Sequence, residues 1–311
     1  MANQYDVVIL GGGIGGYIAA LRASQLGLKT AIVEKDKIGG TCLHRGCIPS
    51  KAFLKSAEVY RLAKHASQFG VEIENVQLNF TKVQNEKNKI VQKLYDGLLY
   101  LIKRDRIDIY EGKGKILGPS IFSPLSGTIS VELDGGKSHK TLVSKNLLIA
   151  TGSKPRSFPL IPYDHNYILS SDDALQLQEL PQSMIILGGG TIGIEWASLL
   201  NDYGVQVTIL EMADQILPSE DKDVSEAMMA HLKKKGIQII TNANVLSHKI
   251  EQEEVIVQYE SLETQSEVSA NKLLISIGRE PNVENIGIEN TDIRLHHDYI
   301  ETNDMYQTSE S

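Results

Sequence analysis

The sequence is short of cysteine, of excess positive charge and of long apolar runs, and each shortage removes a class of protein. Two cysteines in 311 residues, Cys42 and Cys47, stand five positions apart. A bridge closing so short a loop constrains little of the unfolded chain, so the pair makes a poor structural staple. A net charge of −8 leaves no basic face of the kind nucleic acid requires. The nearest approach to a membrane span, Val7 to Leu21, is interrupted by glycine at 11, 12, 13, 15 and 16. It also falls short of the ~20 apolar residues that a spanning helix needs. No basic-then-apolar leader precedes the first strand, so export is not expected and a reducing cytoplasmic compartment is. In that setting a close cysteine pair is more often catalytic than structural.

What is present is the texture of a soluble globular chain, 41% apolar and 23% charged. Its length is too great for one ordinary core, so two domains are expected. Two segments repeat one plan. Asp6 to Leu10 is a continuous apolar run, as in a buried parallel strand. It enters Gly11-x-Gly13-x-x-Gly16, then a helical stretch from Tyr17 to Leu26, then a second apolar run ending on Glu34. Later, Ser183 to Leu187 enters Gly188-x-Gly190-x-x-Gly193, a helical stretch to Tyr203, and a run ending on Glu211. The interval from first glycine to acid is 23 residues in both. Such glycines permit a tight turn, a close approach of pyrophosphate to a helix N-terminus, and close helix packing, while the acid takes ribose hydroxyls. One such loop is a weak signal. Two in register with strand, helix and acid argue for two dinucleotide sites.

Each copy closes through an alternating region, Thr128 to Val143 and Val255 to Val268, into a final apolar run ending at Gly152 and Gly278. The first copy carries an insert, roughly Gly39 to Arg106, with the cysteines and two helical stretches. Apolar positions at Val83, Ile90, Val91, Leu94, Leu98 and Leu101 predict a core-facing helical stripe there. Pro49 suits the first turn of a helix, which puts Cys47 at the entrance, where the dipole favours negative charge on sulfur. Lys51 follows by four residues, on the same helical face. Two thiols without further suitable neighbours make a closed zinc site improbable, and no metal is expected. His296-His297-Asp298 reads as an exposed turn.

The segment Gly39-Gly40-Thr41-Cys42-Leu43-His44-Arg45-Gly46-Cys47-Ile48-Pro49-Ser50-Lys51 resembles the redox-active motif of the pyridine-nucleotide disulfide oxidoreductases. Its Cys-Ile-Pro-Ser-Lys ending is most similar to the dihydrolipoyl dehydrogenase branch. The resemblance implies an α/β fold of two doubly wound Rossmann-like nucleotide-binding domains, each with a β-meander. It places an FAD domain at 1–152, an NAD domain at 153–276 and a return to the FAD domain at 277–311.

It further implies a disulfide of Cys42, which exchanges with substrate, and Cys47, which faces the flavin. Lys51 would lie beside the reactive flavin nitrogen, paired with Glu195. Gly11, Gly13, Gly16, Glu34, Thr41, Lys51, Gly114, Thr151 and Gly152 match FAD positions. Gly188, Gly190, Gly193, Glu211, Val245 and Gly278 match NAD positions. A carboxylate at Glu211 repels a 2′-phosphate, and no Lys or Arg stands between it and Lys222, so NAD is favoured over NADP. His44 does not match the family's base and reads as loop filler.

The implied activity is dihydrolipoamide:NAD oxidoreduction, serving the lipoyl-bearing acyltransferase of a 2-oxo acid dehydrogenase complex, in texture the branched-chain one. Similar proteins continue into a further FAD-binding segment and a C-terminal interface domain that builds a homodimer and donates a histidine acid/base. On that resemblance the chain is expected to be a fragment, weak in FAD binding and inactive alone. The rival readings are a glutathione- or mercury-type reductase and a non-catalytic binding fragment.

Overall fold

The apolar runs that lead into the two glycine loops become central strands, and the rest of the chain is arranged around them. In the computed structural model, which describes residues 3–118 and 127–310, β1 (Asn3–Leu10) turns into α1 (Ile14–Gln25) and β2 (Thr30–Glu34). Three helices follow: α2 (Gly40–Arg45), α3 (Cys47–Lys64) and α4 (Phe80–Arg104). That is one more than the two expected from the sequence. At six residues, α2 is too short to display an apolar period. Next come β3 (Asp108–Glu111), β4 (Lys113–Leu117), β5 (Thr128–Leu133), β6 (Ser138–Ile149) and the short β7 (Ser153–Pro155).

The second repeat comprises β8 (Ile168–Leu169), α5 (Ser171–Ala174), β9 (Ser183–Leu187), α6 (Thr191–Asp202) and β10 (Gln206–Leu210). It continues through α7 (Lys222–Lys234), β11 (Gln238–Ile240), β12 (Asn244–Glu251), β13 (Glu254–Ser261), β14 (Thr264–Ala270) and β15 (Lys272–Ile275). Three short strands end the chain: β16 (Arg279–Pro281), β17 (Leu295–His296) and β18 (Tyr299–Ile300). The last two form a hairpin whose central residues, His297 and Asp298, both have positive φ, the geometry of a tight two-residue turn.

The chain divides into two units, Met1–His44 with Val91–Lys154 and Glu280–Ser311, and Arg45–Ile90 with Pro155–Arg279. In the first, six strands run in the order β3-β2-β1-β6-β5-β4. The pairs among β3, β2, β1 and β6 are parallel, and β6, β5 and β4 continue as an antiparallel meander. Val8, Leu10, Ala31, Val33, Ile116, Ile129 and Leu142 form its core. In the second, β11-β10-β9-β15-β8 is a parallel sheet. A separate antiparallel meander, β12-β13-β14, packs Val245, Val255 and Val257 against Leu187 and Leu210.

The sequence reading assigns 45–90 to the first domain, whereas these residues cluster with the second unit. The reason is packing. Phe53 and Ala57 of α3 are fully buried in a core with Trp196 and Leu200 of α6. The Tyr203 hydroxyl donates to the Phe53 carbonyl at 3.0 Å. The expected apolar stripe on α4 is kept only in part. Leu98 is buried as expected, but Ile90 and Leu94 are 43% and 45% exposed, and Gln84, Lys87 and Ile102 join the buried face. Two polar side chains sit inside because they have acceptors there. Gln84 donates to the Leu177 carbonyl at 2.5 Å and Lys87 to the Leu175 carbonyl at 3.0 Å. Burial in turn pushes the Lys87 ammonium pKa down.

Candidate nucleotide and redox sites

The first glycine loop is held by its neighbours before any ligand is considered. Gly11 has φ +107°, which a side chain would strain, and a Cβ there would run into the Ala150 carbonyl. Its N–H donates to Val33 at 2.8 Å. A Cβ on Gly16 would overlap the Gly11 carbonyl, so glycine lets α1 press against the loop. Gly13 caps α1 with extended backbone and no side-chain bond, and only the Gly40 Cα lies near its absent Cβ, at 3.8 Å. Glu34 ends β2 with both oxygens engaged: Oε2 accepts the Gly12 N–H at 2.7 Å and Oε1 the Asp36 N–H at 2.8 Å. Each oxygen retains a lone pair for a further donor. A cleft of about 610 Å³ opens here, lined by Gly11, Glu34, Gly114, Thr151 and Asn282.

The second loop repeats this arrangement. Gly188 has φ +104° and donates to the Leu210 carbonyl at 2.8 Å. Glu211 Oε2 accepts the Gly189 N–H at 2.6 Å and Oε1 the Ala213 N–H at 2.8 Å. A Cβ on Gly193 would overlap the Gly188 carbonyl, while one on Gly190 would meet nothing within 4 Å. The amide end of α6 therefore opens onto free space, as a bound phosphate would need. Gly278 has φ +117° with open space beside it. Val245 is different: its side chain is buried in the apolar core, so only its backbone is left to meet a ligand.

Cys42 lies half-buried on α2 and Cys47 is exposed as the first residue of α3. Gly46 is the N-cap and Pro49 the third helical residue, inside the first turn as the sequence suggests. Thr41 is exposed on α2. One turn past Cys47, Lys51 Nζ meets Glu195 Oε1 at 2.5 Å, joining α3 to α6 across 144 residues of sequence.

Two residues, Tyr17 and Asp172, carry no functional signal in the sequence, and a third, His44, reads there as loop filler. Tyr17 lies near Cys42, and its phenol pKa is pushed up by burial first and by that sulfur second. His44 is anchored rather than loose: its Nε2 lies 2.8 Å from the Ile38 carbonyl and its ring meets Tyr95 edge-on at 5.2 Å. Asp172 has a buried Oδ1 with no hydrogen-bond partner. Burial pushes its carboxyl pKa up, against the opposing charges of Arg45 and Arg279. No sequence pattern marks any of the three, because each depends on neighbours far along the chain or on burial. Among the described residues no cluster of three metal-ligating side chains occurs, and no helix is long and apolar enough to cross a membrane.

Comparison with known proteins fits this geometry. The profile of the pyridine nucleotide-disulphide oxidoreductases matches residues 5–311. The chain belongs to that family. A dihydrolipoyl dehydrogenase of Bacillus subtilis is 57% identical over all of this chain and 66% of its own length. One from Geobacillus stearothermophilus is 38% identical over 94% of this chain and 60% of its own. In fold, the chain superimposes on LpdA from Mycobacterium tuberculosis with a TM-score of 0.88 at 24% identity, covering 100% of this chain and 66% of that one. The chain thus spans somewhat under two thirds of the length of these family members.

Proposed function

We propose that the chain serves dihydrolipoamide:NAD oxidoreduction, with FAD in the first unit, NAD in the second and Cys42–Cys47 as the exchanging pair. The overall reaction takes two electrons and two protons from dihydrolipoamide, giving lipoamide, NADH and one proton. The observation that carries the reading is the Lys51–Glu195 pair one helical turn beyond Cys47. A cation fixed at that point has a purpose if charge arrives beside the second sulfur, and the carboxylate holds it in place. The residues present fit both nucleotides. Each loop offers an open helix amide end, unobstructed at Gly190 and nearly so at Gly13. Each also offers an acid already aimed by two backbone donors.

FAD, when bound, supplies a two-electron carrier between thiols and a nicotinamide. The chain's own residues do the rest. In the forward direction a dihydrolipoamide thiolate attacks the Cys42 sulfur of the disulfide and releases Cys47 as a thiolate; the second substrate thiol then attacks the mixed disulfide, releasing lipoamide and the Cys42 thiol. In reverse, the Cys42 thiolate opens lipoamide and Cys47 resolves the mixed disulfide, releasing dihydrolipoamide. Glu34, Gly114 and Thr151, which line one cleft, would hold FAD together with the Thr151–Gly152 turn. Glu211 accepts from a free ribose diol and repels a 2′-phosphate, selecting NAD. The 57% identity with a dihydrolipoyl dehydrogenase supports lipoamide as substrate, and with it a lipoyl-bearing acyltransferase of a 2-oxo acid dehydrogenase complex as partner and a homodimer.

The test is trapping. Cys47→Ser, mixed with lipoamide, should gain the mass of one lipoamide on Cys42, whereas Cys42→Ser should gain none. Equal labelling of both variants, or of neither, would remove the exchange role.

A further inference from the structure

The segment that returns to the first unit carries a residue that the sequence reading passed over. Asn282 makes two hydrogen bonds to one turn: its Nδ2 donates to the Thr151 carbonyl at 3.0 Å, and its backbone N–H donates to the Gly152 carbonyl at 2.9 Å. Around it, Lys154 Nζ meets Glu280 Oε1 at 3.3 Å and Glu284 Oε2 at 3.0 Å. Further on, the Ile286 carbonyl accepts the Ile116 N–H at 2.7 Å, and Asn290 Nδ2 donates to the Ile116 carbonyl at 2.9 Å. The stretch from Glu280 to Asn290 is therefore a strap. It is tied at one end to the turn after β6 and at the other to β4. Between those ties Asn282, Glu284, Asn285 and Ile286 line the same cleft as Glu34, Gly114 and Thr151.

We infer that Asn282 is a positioning residue for the adenine dinucleotide of the first unit: by fixing the Thr151–Gly152 turn it sets how tightly that cleft retains its ligand. The argument is geometric. The Thr151 carbonyl shares a planar peptide with the Gly152 N–H, and the Gly152 carbonyl shares one with the Ser153 N–H. Anchoring both carbonyls fixes the directions of both donors. Gly152 needs that support, because at φ +69° it has no side chain of its own to hold it and open space around it. The Lys154 pairs are exposed and contribute little by themselves. Asn282, by contrast, is half-buried, and its side-chain Nδ2 and backbone N–H each hold one carbonyl of the turn.

The inference rests on the cleft taking FAD, so the experiment separates the two ideas. FAD is titrated by flavin fluorescence into the wild-type chain, Asn282→Ala, Asn282→Asp and a remote surface control, Lys249→Ala. NADH binding and the unliganded thermal midpoint are measured on each. With one hydrogen bond removed, Asn282→Ala should bind FAD roughly three- to tenfold more weakly. Its NADH affinity and unliganded midpoint should stay as in the wild type. Asn282→Asp, which sets a carboxylate oxygen against the Thr151 carbonyl, should be weaker still. A wild-type chain that binds no FAD at any attainable concentration would overturn the functional reading and this inference with it. A wild type that binds, with both variants equal to it, would overturn this inference alone. A loss of NADH binding and midpoint in step with FAD would make Asn282 a general structural residue and also overturn it.

Discussion

The two glycine loops are nearly superimposable in their hydrogen bonds and quite unlike in what covers them. Both tie the N–H of the residue after the first glycine, Gly12 or Gly189, to an acid at the end of the next strand, at 2.7 Å in the first copy and 2.6 Å in the second. The helices that follow differ. α1 buries only Gly16, Ala20 and Ala23 and leaves Ile14 and Ile18 about half exposed. α6 buries six residues, Trp196 and Leu200 among them, because α3 packs on it. The comparison teaches that the ligand-facing end of this unit is dictated by backbone chemistry, whereas the far side is open to reuse. In the second copy that side receives the helix that begins with Cys47.

The largest effect expected on this contrast comes from Phe53→Ala. Phe53 is fully buried beside Phe80 and Trp196, and its truncation should cost the second unit about 3–5 kcal/mol in urea unfolding. A loss below about 1 kcal/mol would mean that α3 is not held by this contact. The likeness of the two loops can be broken one at a time. Gly16→Ala should abolish FAD binding and spare NADH, and Gly193→Ala should do the reverse, because each added methyl collides with its own loop's carbonyl. Isothermal titration of both ligands against both variants checks it. If either substitution removed both ligands, the two sites would not be separable.

A smaller effect attends Glu195→Gln. Lys51 is 59% exposed, so stability should change by no more than about 1 kcal/mol. The expected readout is a changed rate of Cys47 alkylation at one fixed pH, since the charge one turn away has lost its anchor. An unchanged rate would limit the pair to packing. The smallest effect concerns Asp172. Its carboxyl pKa is raised in the folded chain. Between the ordinary carboxylate value and the raised one, the native state holds more proton than the unfolded chain. Its contribution to stability is therefore greatest at low pH and is lost as pH rises through the raised value. Asp172→Asn should remove that falling contribution, so stability in denaturation curves should rise more steeply with pH across the acid range than in the wild type, because carboxylates such as Asp6 and Asp173, whose pKa values are lowered, act in the opposite sense. A shallower rise would contradict the assignment.

Much of this was legible in the chain itself. The loops, their acids and the strands that bear them follow from glycine spacing and apolar runs, since a parallel strand buried on both faces must be apolar throughout. The allegiance of α3 was not legible. An amphipathic pattern says that a face is buried, not against what, and Phe53 meets Trp196 across 143 positions of sequence. The stripe on α4 misled for a related reason: Gln84 and Lys87 look like solvent positions until carbonyls on another segment are brought to them. Val245 matched a nucleotide position by resemblance, yet strand alternation turns its side chain into the core beside Leu210. Asn282 left no trace, because one asparagine in a loop has no periodicity to betray it.

Each acid at a strand end is tethered by two amides before a visitor arrives. A receptor built this way has nothing left to rearrange at the moment of encounter. Stopped-flow mixing with NADH should then give a single phase whose rate climbs in proportion to concentration, with no plateau that would betray a slow rearrangement.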